Sequence, residues 1–152
     1  MARFVFRLAP VLSHRERIED EKKQLLAEAL RALREAEEEL NALRDRRESI
    51  AREVAAEHAQ LDGETLRISY AHLDFLAREI RAADLRVVER IQAADRAREA
   101  LVVASKDRKV LDRLRERQHE VFKQEELRLE QRDLDDANAR RYGRVKREEA
   151  AR

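Results

Sequence analysis

The side chains that could hold a metal or move a proton in catalysis are His14, His58, His72 and His119, with a large stock of carboxylates. Two histidines on a helix share a metal when they lie three or four residues apart, because that spacing sets them on one face. No two of these four do. A carboxylate becomes a useful general acid where an enclosed environment shifts its pKa, and the outside of a long helix offers no such environment. Cysteine is absent, so there is no thiolate nucleophile and no disulfide. With two glycines in the chain, no glycine-rich phosphate loop is present either. These residues predict no catalytic centre, no metal and no cofactor.

The composition points to the elements that carry them. Charged residues make up 44% of the 152, aromatics 4%, and there is one proline. Ala, Leu, Glu and Arg dominate, as in long helices and coiled coils. High charge can also mean disorder, but the hydrophobic fraction is 43% and periodic. The 34 basic and 33 acidic residues nearly cancel. That balance argues against nucleic acid or an anionic membrane as partner, each of which favours a strongly basic surface. No stretch approaches 18 apolar residues, so no direct membrane insertion is expected. Phe4, Val5 and Phe6 are not followed by the apolar core of a secretory signal.

Pro10 stands where proline is tolerated, in the first turn of a helix. Downstream, Leu26, Leu30, Leu33, Leu40, Leu43, Ile50, Val54 and Leu61 are spaced by 4, 3, 7, 3, 7, 4 and 7, a heptad seam. Leu8, Val11, Ile18 and Leu25 follow the same rule in a shifted frame, which predicts a stutter near Leu25 and Leu26. Asp62-Gly63 breaks the pattern. Gly63 is expected to take a left-handed conformation that ends the first helix, with Asp62 or Thr65 capping the next. Positions 73, 76, 80, 83, 87, 90, 94, 97, 101, 104, 108 and 111 then alternate strictly by three and four and are apolar except Arg90 and Arg108. Gly143 is expected to end the regular helix. The prediction is an all-α protein: one long antiparallel two-helix coiled-coil hairpin over 1–152, with helix 1 about 8–58, a turn about 59–65 and a longer helix 2 about 66–142.

Folding the chain at Gly63 sets Leu8 opposite about Gln118. Some 25 residues of helix 2, roughly 35–40 Å, then have no partner from helix 1. That overhang still carries Val121, Phe122, Leu127, Leu129 and Leu134. An isolated helix with exposed apolar residues is marginal in water, so the overhang frays or enters a partner. The last thirteen residues hold six basic side chains against Glu148 and Glu149. They read either as a solvated tail or as a tip steering docking to an acidic surface. Arg3, Arg7, Arg15 and Arg17 make the N-terminal segment basic too, whereas Glu53, Glu57, Asp62 and Glu64 make the turn end acidic. Tyr70, Leu73, Phe75 and Leu76 form the densest apolar cluster. They either close the hairpin end against Ile50 and Val54 or, through Tyr70 and Phe75, form an exposed recognition patch.

The run Phe6-Arg7-Leu8-Ala9-Pro10-Val11-Leu12, continuing through Arg15 to Leu25-Leu26-Ala27-Glu28-Ala29, resembles the start of the flagellar export protein FliJ family. Arg108-Lys109-Val110-Leu111-Asp112-Arg113-Leu114 and Leu134-Asp135-Asp136-Ala137-Asn138-Ala139-Arg140-Arg141 resemble its C-terminal half, and the turn position and the Tyr70 to Ile80 block also fit. The resemblance implies a coiled coil shaped like the central stalk of rotary ATPases. It implies binding to the hexameric export ATPase FliI, to the transmembrane gate protein FlhA and to export chaperones, coupling ATP hydrolysis to the gate. It further implies a cytoplasmic place on the inner-membrane export apparatus. The tip from about Phe122 to Arg141 would enter the ATPase ring, with Phe122, Leu129, Leu134, Asp135, Arg140 and Arg141 as contacts. Early in helix 2, Leu73 and Leu76 (or, one residue on, Ala77) stand where the family contacts the gate, beside Tyr70 and Phe75. This reading predicts a monomer. The alternatives are an injectisome stalk, a generic structural coiled coil that dimerises in parallel, and a nucleic-acid binder using the Arg-rich surface.

Overall fold

A computed structural model describes residues 3–150; for 143–145 and 147–150 it describes the backbone alone. Two long helices pack against each other, and among the described residues there is no strand. Helix α1 runs Ala9–Glu57 and helix α2 runs Gly63–Ala150, 49 and 88 residues respectively. Pro10 is the second residue of α1, where its missing N–H would have had no helical acceptor. The entry to α1 is tied by Ala9 N–H donating to the Phe6 carbonyl at 3.1 Å and Leu12 N–H to the Leu8 carbonyl at 2.9 Å.

The chain forms two compact units. In the unit Arg17–Ser105, α1 and α2 make an antiparallel hairpin. Its core is a stripe rather than a ball: Leu40, Val54, Leu73, Leu76, Ala83, Ala94 and Ala104 are buried. Leu26, Leu30, Leu33, Leu43, Ile50, Ile80, Val87, Ala97 and Leu101 are half-buried around them. Ala83 and Ala94 are the most enclosed of all at 1% exposure. A methyl side chain reaches that degree of burial only where the partner helix comes close, so the alanines set the separation of the axes and the leucines fill the edges. Two ion pairs flank the seam, Arg44 to Asp84 at 2.9 Å and Arg86 to Glu39 at 3.0 Å. All four partners are about half exposed, so each pair contributes about 0–1 kcal/mol. Their value is in register, since both join α1 to α2 in descending order.

The stutter expected near Leu25 and Leu26 is absent. Leu8, Val11 and Leu25 are exposed at 37%, 44% and 50%, whereas Leu12 is buried. One unbroken frame runs Leu12, Arg15, Glu19, Lys22, Leu26, Ala29 and Leu33, none of them exposed. Charged residues occupy three successive seam positions, so counting apolar residues alone misses them. Long side chains can lay their methylene stems along a seam and keep their charge at its edge. Among the described residues Glu19, at 7% exposure, is the one buried charged side chain, and the Lys23 ammonium lies 3.7 Å from its carboxylate.

The turn also differs from expectation. No described glycine has a positive φ, and Gly63 is the first residue of α2 rather than a left-handed stop to α1. α1 closes instead through Gln60 and Leu61 N–H groups donating to the Glu57 carbonyl at 2.8 and 3.1 Å. Asp62 begins α2: its carboxylate accepts the Thr65 N–H at 3.0 Å, the N-cap bond, and Glu64 follows in the positively polarised first turn. α2 passes through Gly143 without ending there and continues to Ala150. A helical glycine costs up to about 1 kcal/mol relative to alanine but does not break the ladder.

The second unit joins residues 1–16 to 106–152. Here residues 3–8 are not helical, and Phe6 is buried at 7% and Leu12 at 4%. The Phe4 ring meets His119 edge-on at 5.1 Å and Phe122 at 5.7 Å. Arg15 pairs with Asp107 at 3.1 Å. Past Phe122, every described side chain except Glu126 is exposed.

Two outcomes follow from the turn. A Cβ at Gly63 meets nothing within 4 Å, so Gly63→Ala should raise stability by about 0.4–1 kcal/mol in chemical denaturation; a loss of that size would contradict the helical assignment. The Thr65 side chain and backbone hydrogen bonds hold the Asp62 carboxyl below its usual value. A carboxyl depressed on folding stabilises above its unfolded pKa and loses that contribution as pH falls through the folded one. Asp62→Ala should therefore lower the thermal midpoint at neutral pH, with the gap to the wild type closing below pH 3.8.

Candidate partner-binding site

In the hairpin unit, the cap at Asp62 starts α2, and the three-four seam against α1 sets which residues of its first turns face inward. Leu73 and Leu76 fall on the seam and are buried at 9% and 3%. Tyr70 and Phe75 fall off it and are 50% and 49% exposed. The cluster picked out in the sequence thus divides. Two members close the hairpin end and two are presented to solvent. The half-buried Ala77 belongs with neither group. His72 stacks on Phe75 with ring centroids 6.3 Å apart and planes 14° from parallel, which broadens the flat surface that Phe75 offers.

The exposed aromatics are not isolated. Ile68 is 61% exposed, Leu85 66% and Val88 49%. Ile68, Phe75 and the half-buried Ala82 are each seven residues apart, and Leu85 follows within about 60° of Ala82, whereas Val88 lies about 120° round the helix from it. This second apolar stripe faces away from α1. Its sequence signal was the seven-residue spacing of Ile68, Phe75 and Ala82, hidden because the stronger seam beside it accounts for most apolar residues. Glu53, Glu57, Asp62 and Glu64 near the turn are all exposed, leaving this end acidic.

In the other unit, α2 provides the residues expected at the tip. Leu129, Leu134, Asp135, Arg140 and Arg141 are all exposed. Phe122 is half-buried under Phe4, so it is shared between the unit's own packing and any partner. Leu127 and Tyr142, 62% and 69% exposed, join the exposed set, and the Lys146 ammonium lies 6.0 Å from the centre of the Tyr142 ring. Phe4 is the residue that sequence reasoning missed. Its short run Phe4-Val5-Phe6 has no helical period to reveal what it covers. Arg3 and Arg7 are exposed near it. Of the basic tail, Arg144, Arg147, Glu148, Glu149 and Arg152 lie outside the described side chains.

Among the described residues no group of histidine and carboxylate side chains is placed to hold a metal ion. None of the described helices is long and apolar enough to cross a membrane. The grooves are shallow and open, such as that formed by Phe4, Arg115, Glu116 and His119. What the two units offer a partner is apolar and aromatic side chains standing among charges, the composition of protein–protein contact surfaces.

No curated protein and no solved structure matches the chain. A family model does: that of the flagellar FliJ protein matches residues 4–147, nearly the whole chain. A match of that extent, in an all-helical chain whose C-terminal helix is the longer, makes this a member of the FliJ family, a protein associated with flagellar export.

Proposed function

We propose that this protein is a non-enzymatic, stalk-like coupling factor of flagellar type III export, with its C-terminal arm entering the ring of the export ATPase FliI. The observation that carries the reading is the arm itself. From Lys123 onward α2 stays helical with no cover from α1, and it presents Leu127, Leu129, Leu134 and Tyr142 to water. A lone helix with exposed apolar side chains is marginal by itself. Insertion into a ring buries those side chains and removes the cost. Asp135, Arg140 and Arg141 stand on the same stretch to pair with charges of the ring, while Phe122 marks its base.

The exposed surface of α2 that carries Phe75 on one flank and Tyr70, about 140° round the helix, on the other is the proposed contact for the gate protein FlhA. Leu73 and Leu76 support that contact from beneath by holding the helix against α1. Export chaperones, cytoplasmic residence and peripheral association with the inner-membrane apparatus belong to the same proposal, as does a monomeric state. The flagellar family match favours this reading over an injectisome stalk, a parallel scaffold dimer or a nucleic-acid binder.

Removing residues 122–152 should abolish binding to the ATPase ring in a pull-down or sedimentation assay; retained affinity would defeat tip insertion. At the other site, Tyr70→Ala and Phe75→Ala should each weaken gate binding by about tenfold with the thermal midpoint unchanged. Leu73→Ala should instead lower stability by about 2–5 kcal/mol, as expected of a large-to-small change in a packed stripe. Gate affinity that is indifferent to Tyr70 and Phe75 would remove this surface from the contact.

A further inference from the structure

In the unit that joins residues 1–16 to 106–152, Lys106, Lys109, Arg113 and Arg117 follow one another along α2 at intervals of three, four and four. That spacing keeps the four within about 80° of arc and about 17 Å of helix. Nowhere else in the chain do four cations succeed one another at three- and four-residue spacing. All four are exposed. Leu111 is half-buried and lines a groove with Val11 of α1. Arg113 lies about 160° round α2 from Leu111, so the series faces away from α1. Like charges three or four residues apart on a helix repel, and every link of this series is such a pair. The nearby carboxylates do not neutralise it. Asp107 pairs with Arg15 at 3.1 Å, and Asp112 with Arg108 and Arg115, each at 3.7 Å. Glu116 lines the groove of Phe4 and His119, and Glu120 accepts from the Gln124 amide at 3.3 Å. Among the described residues, none of the four cations has an ion pair or a side-chain hydrogen bond.

The charge and dimensions of this face fit a short acidic helix. Successive cations rise by about 4.5–6 Å, the interval between carboxylates three or four residues apart on another helix. The series is also bounded. The residues three and four before Lys106 are Val103 and Val102, and the residue three after Arg117 is Glu120. A nucleic acid, whose phosphates continue past this length, would be set against Glu120. A helix held on a bilayer needs an apolar face to bury; between Lys106 and Arg117 the exposed apolar side chain is Val110, at 66%. The chain has an acidic series of its own, Glu126, Glu130, Asp133 and Asp136. It stands about 100–180° round α2 from the cations it would have to match. Two copies joined through one basic and one acidic series leave the other two series unmatched, a head-to-tail contact that extends rather than closes.

We propose that Lys106, Lys109, Arg113 and Arg117, with Val110 beside them, form a docking face for one helix of a different protein. That helix carries carboxylates at three- and four-residue spacing over about three turns. Ion pairs across the contact replace the repulsion within the series, and Val110 supplies a small apolar contact at its edge. The face shares no residue with the tip beyond Phe122 or with the exposed surface around Phe75, and it does not rest on the roles proposed for either.

The probe is a fluorescent, alanine-based helical peptide with four glutamates at that spacing, titrated with the full-length chain by fluorescence anisotropy. It should bind roughly tenfold more tightly than a peptide of the same composition whose glutamates are consecutive. Lys109→Glu combined with Arg113→Glu should remove that difference, and raising the salt should weaken binding by the wild type. Arg128→Glu combined with Arg132→Glu, past the end of the face, should leave it unchanged. All these positions are exposed, and circular dichroism should show unchanged helicity. Equal binding of the two peptides, or of neither, would overturn the proposal. So would equal losses in the two double variants, which would make the effect one of total charge. Tighter binding to duplex DNA, or to vesicles of equal parts phosphatidylglycerol and phosphatidylethanolamine, would give the face to those partners instead. In sedimentation the wild type should stay monomeric; self-association lost in the Lys109, Arg113 double variant would assign the face to a second copy and overturn the proposal.

Discussion

Two helices can bury only one stripe between them, and in this protein that stripe is narrow. Ala83 and Ala94 sit deepest, with Leu40, Val54, Leu73 and Leu76 around them. Close approach through alanine makes a thin seam with little apolar area per ordered residue, and stability spread along such a seam is shared by many weak contributions rather than concentrated in a core. Much apolar surface is therefore left outside. Ile68, Tyr70, Phe75, Leu85 and Val88 in the hairpin unit, and Leu127, Leu129, Leu134 and Tyr142 in the other, are exposed. In a globular domain some of these would be buried by a third element. Among the described residues there is no third element, and these side chains stay exposed.

The asymmetry of the two helices follows from where the chain turns. Asp62 caps α2 at residue 63 of 152, and the turn itself is short. Among the described residues, the segment before α1 reaches α2 through Phe4, at His119 and Phe122. The seam of α2 against α1 turns Leu73 and Leu76 inward and leaves Tyr70 and Phe75 exposed.

The helices, their antiparallel pairing and the seam of α2 were legible because alternation by three and four over a dozen positions leaves no other period available. Of those positions only Arg90 is exposed. At the start of α1 the apolar residues alone suggest a frame other than the one that packs. Arg15, Glu19 and Lys22 occupy the packed frame, and the apolar Leu8, Val11 and Leu25 that suggested another frame are exposed. Gly63 and Gly143 were read as stops, yet both lie within α2, where neighbouring residues and the Asp62 cap outweigh glycine's conformational freedom. The candidate gate cluster was found by apolar density, a signal that does not separate core from surface. Only the register of the seam does that, and it assigns Leu73 and Leu76 to the first and Tyr70 and Phe75 to the second.

The central claim is that α1 and α2 double back on each other within one molecule. Leu25 and Val102 are exposed on opposite helices of the hairpin unit, and the absence of cysteine lets each be replaced by a single labelled one. Pulsed electron resonance on doubly labelled chains diluted in unlabelled protein would read the distance between them. With helix axes about 10 Å apart, the account predicts a short distance, within about 30 Å once the label arms are included, that survives dilution. One continuous helix would set the labels about 115 Å apart, and a short distance that vanished on dilution would reveal pairing between molecules; either result would contradict the hairpin.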